Sequence, residues 1–250
     1  MYKFLGESPS SFCLFASCDS KYLHEHARAY ITSCALAQND VHLHIINASD
    51  KDWVYAQTLR IGYNILYPKG KMTISSEINE FKLSSEQMRT YYACNRFLIA
   101  SQIVSDSVLI TDIDCLIISH IEPFNTHLGL FLRDPLPGVN SWESQGTKVA
   151  AGAVYCSKEA LQYLKLVSEV IRNNELNWFL DQAALSIIYE QIKDQVTLTK
   201  IDSDFMDWEF VPGTKIWTGK GSRKYDNPIY VEMKKTFNLK FPNLREAYWK

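Results

Sequence analysis

The sequence has little that would direct the protein to a nucleic acid or into a membrane. Its formal net charge is -2 over 250 residues, so no excess of basic side chains favours a polyanionic partner. No apolar run approaches the roughly 20 residues that a membrane-spanning helix needs. Glu7, Ser8 and Pro9 interrupt the N terminus before an apolar segment can build, so no signal peptide is predicted. We therefore expect neither a nucleic-acid partner nor a transmembrane segment.

Paired cysteine motifs are also absent. The six cysteines are scattered and none forms a Cys-x-x-Cys pair, which argues against zinc ribbons and redox pairs. Several of them lie inside apolar runs, where a free thiol behaves as a small hydrophobic side chain. This usage predicts a reducing compartment, and we expect a cytoplasmic protein. Internal repeats and low-complexity segments are absent as well.

What the sequence contains is a pattern of strands and helices. Ser11–Ser17 fits a buried strand, Leu23–Gln38 a helix and Val41–Asn47 a second strand. This succession predicts a βαβ unit with parallel pairing and a right-handed crossover. With 46% hydrophobic content, the chain can bury a sizeable core. We expect an α/β fold in a single domain, with a mostly parallel central sheet flanked by helices.

Further elements follow, although Lys69–Leu83 is too polar and mixed to assign. The predicted helices are Ser49–Ile61, Ser84–Val104, Ser157–Asn173 and Trp178–Ile192. The predicted strands are Ile65–Tyr67, Leu128–Leu132, Lys148–Cys156 and Val196–Ile201.

The most informative stretch is Val108–Ile118, in which Asp112 and Asp114 stand between apolar runs. Strand side chains alternate faces, so acids two positions apart project to the same side. If the strand ends near Thr111, both carboxylates lie at its carboxyl edge, where α/β sheets bind ligands. Such oxygens suit a hard divalent cation whose other positions take nucleotide phosphates. The alternative is a buried strand followed by an acidic turn.

Several segments occur in an order that is typical of one family. They are the loop with Asp19 and Tyr22, the long helix with Arg96, the Asp-x-Asp pair, the strand with Gly152 and the segment Trp178-Phe-Leu-Asp181-Gln182. Over about Phe12 to Lys224, this ordered set resembles GT-A nucleotide-sugar glycosyltransferases. It looks most like glycosyltransferase family 8, the group of glycogenin and bacterial lipopolysaccharide galactosyltransferases.

The resemblance implies a Rossmann-like GT-A fold and a hexosyltransferase activity. The donor would be a nucleoside-diphosphate sugar, with a UDP-sugar favoured, and the acceptor a glycan, lipid or protein. A divalent cation, Mn²⁺ or Mg²⁺, and retention of the anomeric configuration are also implied. The donor half would span about residues 1–120 and the acceptor half about residues 121–250.

By the same resemblance, Ala16, Asp19 and Tyr22 match the loop that holds the base and ribose. A strand-to-helix loop offers backbone amides, and Asp19 can accept a hydrogen bond from a base edge or a ribose hydroxyl. The alternative is that Asp19 is a helix N-cap and that Tyr22 only packs.

Arg96, Asp181 and Gln182 would act near the transferred sugar. Arg96 matches an arginine beside the acidic cluster; in an apolar helix it needs an anionic partner, and a structural ion pair is the alternative. Asp181 and Gln182 match a pair beside the anomeric carbon, where a carboxylate orients hydroxyls and an amide stabilises an oxocarbenium-like centre. The alternative is an acidic first turn that complements a helix dipole. Asp112 and Asp114 would hold the cation, which acts as a Lewis acid on the departing diphosphate.

Gly219, Lys220 and Lys224 match the C-terminal phosphate loop of the family. Glycines let backbone amides approach phosphate, and lysines supply charge. Without the resemblance, this segment reads as a solvated basic turn. The last histidine is His127, so no histidine can serve as the usual third metal ligand.

Two departures from the family pattern limit what it implies. Water, Asp202 or Asp204 would have to fill the third metal position, or the metal binds more weakly. Ala150 replaces an asparagine that usually precedes the position of Gly152, which leaves the identity of the sugar open.

Two other functions are compatible with parts of the sequence. Phosphatases of the haloacid dehalogenase type share an Asp-x-Asp strand, but they usually place Gly-Thr after it, near the chain start. Here Cys115-Leu116 follows, and more than a hundred residues precede the motif. A non-catalytic GT-A-like module that binds a glycan or a protein is the other alternative, supported by Ala150 and the missing histidine.

Overall fold

The structure is a computed structural model that describes residues 2–6, 11–80, 82–103, 106–133 and 148–244. Its strands are β1 (Tyr2–Leu5), β2 (Phe12–Cys18), β3 (Val41–Ile46), β4 (Met72–Glu77), β5 (Ser107–Thr111), β6 (Cys115–Ile117), β7 (Leu128–Leu132), β8 (Val149–Cys156), β9 (Leu198–Lys200), β10 (Met206–Asp207) and β11 (Ile216–Thr218). Its helices are α1 (Ser20–Leu36), α2 (Asp50–Leu66), α3 (Ser85–Ile103), α4 (Leu161–Arg172), α5 (Leu180–Ile192), α6 (Arg223–Asp226) and α7 (Pro228–Lys240), with a 3-10 turn at Lys158–Ala160.

The central sheet is mostly parallel, as expected. Within the described residues, eight strands follow the order β1-β4-β3-β2-β5-β8-β7-β9. β2 pairs in parallel with β3 and β5, and β3 pairs in parallel with β4. β8 lies antiparallel between β5 and β7, and β1 is an antiparallel edge strand. The predicted βαβ unit and the mixed α/β fold are therefore confirmed.

Strand β2 shows that the sheet is covered on both faces. Leu14 and Ala16 pack in one core with residues of α1 and α2, whereas Cys13 and Phe15 pack in a second core with residues of α3. Every residue of β3 is buried, as is usual for parallel strands between two helical layers. All six cysteines are buried free thiols, including those that lie in apolar runs.

One predicted strand is wrong, and the real strand lies nearby. Ile65–Tyr67 is not a strand, because α2 continues to Leu66. The partner of β3 is β4, inside the unassigned stretch. Its polar residues are buried because the His42 ring makes hydrogen bonds to Thr73 (2.6 Å) and Ser75 (2.7 Å) on the paired strand. A hydrophobic pattern cannot reveal a strand whose buried side chains are satisfied in this way.

A small second sheet connects the Asp-x-Asp segment to the C-terminal part of the chain. Among the described residues it has three strands, in the order β10-β11-β6. β6 pairs antiparallel with β11, which sets Cys115 opposite Thr218. Tyr230 and Phe237 of α7 pack in one cluster with Ala29 of α1 and with residues of this sheet. The loop after β11 is consequently held beside the Asp-x-Asp segment.

Candidate active site

A cavity lies at the carboxyl ends of β2 and β5, where the sequence predicts a site. Its volume is about 610 Å³. The predicted site residues that line it are Asp19, Tyr22, Arg96, Asp112, Asp114, Asp181, Gln182, Gly219 and Lys220. Gly152 and Ala150 also line it. Ala16 does not: its side chain is fully buried in the core between β2 and the first two helices.

The Asp-x-Asp segment links two short strands. β5 ends at Thr111, and β6 begins at Cys115, whose N–H donates to the carbonyl oxygen of Asp112. Ile113 is buried in the core, whereas Asp112 and Asp114 line the cavity. The two acids therefore lie together at the carboxyl edge of β5, as expected if the strand ends near Thr111, but they stand in a turn and not on one face of a strand. The segment Val108–Ile118 is divided by this turn rather than being one strand.

Arg96 joins two of the predicted acids. Its guanidinium lies 3.0 Å from Oδ1 of Asp112 and 3.2 Å from Oδ2 of Asp181, and it also donates to the carbonyl of Ala151. Burial disfavours the charged guanidinium, but Asp112 and Asp181 outweigh burial and raise the pKa of Arg96. The anionic partners that an arginine in an apolar helix needs are thus both residues of the candidate site.

Asp181 and Gln182 stand in the first turn of α5. The Asp181 carboxylate accepts from the backbone N–H of Gln182, and burial raises its pKa although Arg96 opposes the shift. The side-chain oxygen of Gln182 is buried and has no hydrogen-bond partner among the described residues. The helix begins at Leu180 rather than at Trp178, because Phe179 has left-handed backbone geometry (φ 70°).

Lys224 joins the C-terminal loop to the Asp-x-Asp segment, although it is not among the lining residues. Its Nζ donates to Oδ2 of Asp114 at 2.7 Å and to the Tyr22 hydroxyl at 2.8 Å. Burial, and then Asp112, raise the pKa of Asp114, while Lys224 opposes the shift. Burial disfavours the Lys224 ammonium, but Asp114 outweighs it and raises the pKa of Lys224.

Gly219 is required by the close approach of two segments. A Cβ at this position would lie 2.8 Å from Cβ of Lys224 and 2.9 Å from the carbonyl oxygen of Asp114. The Gly219 N–H donates to that same oxygen. Lys220, next in the chain, is exposed and holds its ammonium 4.7 Å from the centre of the Trp208 ring.

The position of Asp19 is compatible with both of its predicted roles, a helix N-cap and a nucleotide contact. It is the N-cap of α1, where its side chain accepts from the N–H of Tyr22 at 2.9 Å. It also lines the cavity together with Tyr22.

The cavity residues that were not predicted from the sequence include three basic side chains and a tryptophan. Arg89, Arg133 and Lys21 add positive charge to the lining, and Trp208 adds an aromatic ring. Burial lowers the pKa of Arg133. Arg133 directly follows β7, so a basic residue at a strand end is the one signal that could have found it.

The donor atoms of Asp112, Asp114 and Cys115 lie within 4.8 Å of one another. The two carboxylates fit a hard divalent cation. Cys115 does not, because burial, followed by Asp112 and Asp114, raises the pKa of its thiol well above the ordinary value. Asp202 and Asp204 are exposed and lie outside this group, so the structure does not bring them in as a third ligand.

Comparison with known proteins identifies the fold. Neither a family model nor a curated protein sequence matches the chain. Similar solved structures include the glycosyltransferase GlyE of Streptococcus pneumoniae TIGR4 (TM-score 0.53, 15% identity, 92% of this chain and 61% of that chain) and its apo form (0.55, 14%, 96% and 64%). The apo structure of WbbM, a bifunctional glycosyltransferase, is also similar (0.52, 11%, 90% and 51%).

These likenesses show that the chain has a glycosyltransferase-like α/β fold. The chain spans less than two thirds of the length of each of these proteins. No helix of the described residues is long and apolar enough to cross a membrane.

Proposed function

We propose that the protein is a glycosyltransferase that moves a hexose from a nucleoside-diphosphate sugar, with a UDP-sugar favoured, to a sugar-bearing acceptor. The observation that carries the proposal is the ion-paired chain of Asp181, Arg96 and Asp112 on the cavity wall, with the unpartnered oxygen of Gln182 beside it. A buried acceptor without a partner costs free energy, which a sugar hydroxyl would recover by donating to it.

The nucleotide has candidate contacts on two elements. Asp19 and Tyr22, at the start of α1, offer a carboxylate and a phenol to the base and ribose. Lys220, Arg133 and Lys224 offer positive charge to a diphosphate near Asp114. Residues from both sides of position 120 therefore line one cavity, and the division into donor and acceptor halves remains our proposal.

The remaining roles follow from the charges that develop on the leaving phosphate and on the sugar during the reaction. As the bond between sugar and diphosphate breaks, negative charge grows on the leaving phosphate, and the ammonium groups of Lys220 and Lys224 stabilise it. Asp181 would orient sugar hydroxyls, and the side-chain oxygen of Gln182 would stabilise positive charge at the anomeric carbon. Arg96 holds Asp112 and Asp181 in fixed geometry. Retention of the anomeric configuration belongs to the same proposal.

A divalent cation, Mn²⁺ or Mg²⁺, is part of the proposal. Asp112 and Asp114 would hold it, and when bound it would supply Lewis-acid charge on the diphosphate. In the described structure Arg96 and Lys224 already neutralise these two carboxylates. We therefore expect the cation to bind well only together with a nucleoside diphosphate.

Nucleotide binding can be tested by thermal shift with UDP, GDP, ADP and CDP, each with and without Mn²⁺. A ligand that binds the native state alone raises its stability by RT ln(1 + [L]/Kd). We expect a metal-dependent shift with UDP that is lost in Asp114→Asn. If no nucleotide gives such a shift, the donor-site proposal is wrong.

A non-catalytic module is the second candidate, favoured by the pairing of Lys224 with Asp114, which occupies a carboxylate of the metal pair. Turnover separates the two functions. A glycosyltransferase hydrolyses its nucleotide sugar slowly without an acceptor, whereas a binding module hydrolyses none. A cytoplasmic location remains a prediction from the free cysteines.

A further inference from the structure

Two large aromatic side chains lie exposed at the edge of the cavity. Trp178 is 48% exposed and Phe179 is 46% exposed, and both line the cavity. Their ring centres are 5.6 Å apart, with an angle of 53° between the ring planes. Adjacent apolar rings at the edge of a pocket are typical of a surface that a ligand covers.

The backbone at this position is held in an uncommon conformation. Phe179 has φ 70° and ψ 10°, a left-handed geometry that residues with a Cβ seldom adopt. This geometry stops α5 from extending backward through Trp178. It separates the two rings from the helix that carries Asp181. Strain of this kind clusters at binding and catalytic sites.

Arg89 supports the indole from the neighbouring helix. Its guanidinium lies 4.9 Å from the centre of the Trp178 ring. Arg89 and Arg96 both belong to α3, and Trp178 and Asp181 flank the start of α5. The same pair of helices therefore carries the aromatic rings and the Arg96–Asp181 ion pair.

We propose that Trp178 and Phe179 form the acceptor subsite and that its ligand is the pyranose ring of a saccharide. The C–H face of a pyranose packs on an aromatic ring, and its hydroxyls remain at the edge of the stack for hydrogen bonding. This inference rests on the proposed function and names the acceptor class within it. A glycan is thereby favoured over a protein or lipid acceptor.

The position of the rings in the chain separates this subsite from the nucleotide contacts. Asp19 and Tyr22 belong to the β2–α1 connection, and Lys224 contacts Tyr22. Trp178 and Phe179 instead directly precede Asp181, the residue assigned to the transferred sugar. An acceptor sugar on these rings would therefore lie beside the donor sugar. Stacking of the nucleobase on Trp178 is the competing occupant.

The test compares hydrolysis and transfer by the full chain. Hydrolysis of the preferred nucleotide sugar is measured without acceptor, and transfer is measured with a panel of methyl glycosides and short oligosaccharides. In Trp178→Ala we expect the acceptor KM to rise about tenfold or more, with kcat/KM for hydrolysis within about twofold of wild type. Trp178→Phe, which keeps a ring, should recover most of the loss.

Phe179→Gly is the matched second variant, since it removes the side chain and glycine tolerates the positive φ without strain. It should also raise the acceptor KM and leave the nucleotide affinity unchanged. An unchanged acceptor KM in both variants would overturn the inference, as would a tenfold loss of nucleotide affinity in Trp178→Ala. Transfer to none of the glycosides by a wild-type enzyme that hydrolyses the donor would overturn it too. A wild type without hydrolysis refutes the proposed function instead.

Discussion

The ammonium of Lys224 lies 2.7 Å from Oδ2 of Asp114, and only 11% of either side chain is exposed. The ion pair thus brings a fixed positive charge to the carboxylate that we assign to a metal. It also connects the C-terminal loop to the end of β5.

Replacing Lys224 by methionine should destabilise the protein. Asp114 would stay largely buried next to Asp112 without its cationic partner, and we expect the free energy of unfolding to fall by about 2–3 kcal/mol. Urea unfolding near neutral pH measures the change. Lys235→Met is the control, because Lys235 pairs with Glu232 at 3.6 Å on the exposed surface and should cost less than about 1 kcal/mol.

The same variant should change the response to metal. Without nucleotide, Mn²⁺ should raise the melting temperature of Lys224→Met more than that of the wild type, since the ammonium no longer competes for Asp114. An equal response of both proteins would show that Lys224 does not compete with the cation.

Arg96→Lys should lower turnover far more than a conservative change implies. A lysine has one ammonium and cannot contact Asp112, Asp181 and the Ala151 carbonyl in the geometry of the guanidinium. We expect kcat for donor hydrolysis to fall about 100-fold, as misplaced catalytic groups typically cause. Arg172→Lys, an exposed change at the end of α4, should retain wild-type rates. If kcat were equal in both variants, Arg96 would not be needed for turnover.

Gly219→Ala should weaken nucleotide binding as well as stability. The new methyl group would lie under 3 Å from both Lys224 Cβ and the Asp114 carbonyl, so one of the two segments must move. Gly213→Ala is the control, since Gly213 has φ +98° but no atom within 4 Å of the new Cβ. It should cost about 1 kcal/mol of stability through backbone strain and leave the UDP affinity unchanged. Calorimetric titration with UDP distinguishes the two variants.

Two buried histidines predict a loss of stability in acid. Burial, aided by His44, lowers the pKa of His42 to about 3, and burial with Lys234 lowers the pKa of His26 to about 3. An unfolded histidine titrates near 6.5, so below that pH the unfolded state binds more protons. The free energy of unfolding should therefore fall as the pH decreases from 6.5 towards 3, by about 2 kcal/mol per histidine at about pH 5.

Urea unfolding at about pH 7.5 and at about pH 5 measures this dependence. In His42→Gln the difference between the two pH values should shrink by about 2 kcal/mol. Wild type measured at the same two pH values is the reference. If His42→Gln retains the full difference, His42 is not the group that titrates.

The sequence predicts where the site lies in the fold better than it predicts which residues line it. The predicted strand end near Thr111 correctly places Asp112 and Asp114 at a carboxyl edge, although in a turn, and an arginine in an apolar helix correctly implies an anionic partner. Arg133 carries only one weak signal, its position directly after β7, because its place in the cavity depends on the packing of distant strands. The strand β4 was missed because Thr73 and Ser75 are satisfied by a histidine on the next strand, a pairing that no local pattern encodes.

The pairing of β6 with β11 has a consequence for synthesis of the protein. Asp114 meets its cationic partner only when a residue 110 positions later has emerged from the ribosome. At ordinary translation rates this takes roughly 5–20 s. During that interval the acidic pair stands at an incomplete sheet edge, so a nascent chain halted before β11 would carry two aspartates without the lysine. Truncated products should therefore bind a divalent cation in the absence of nucleotide, whereas the full chain should bind it well only together with a nucleoside diphosphate.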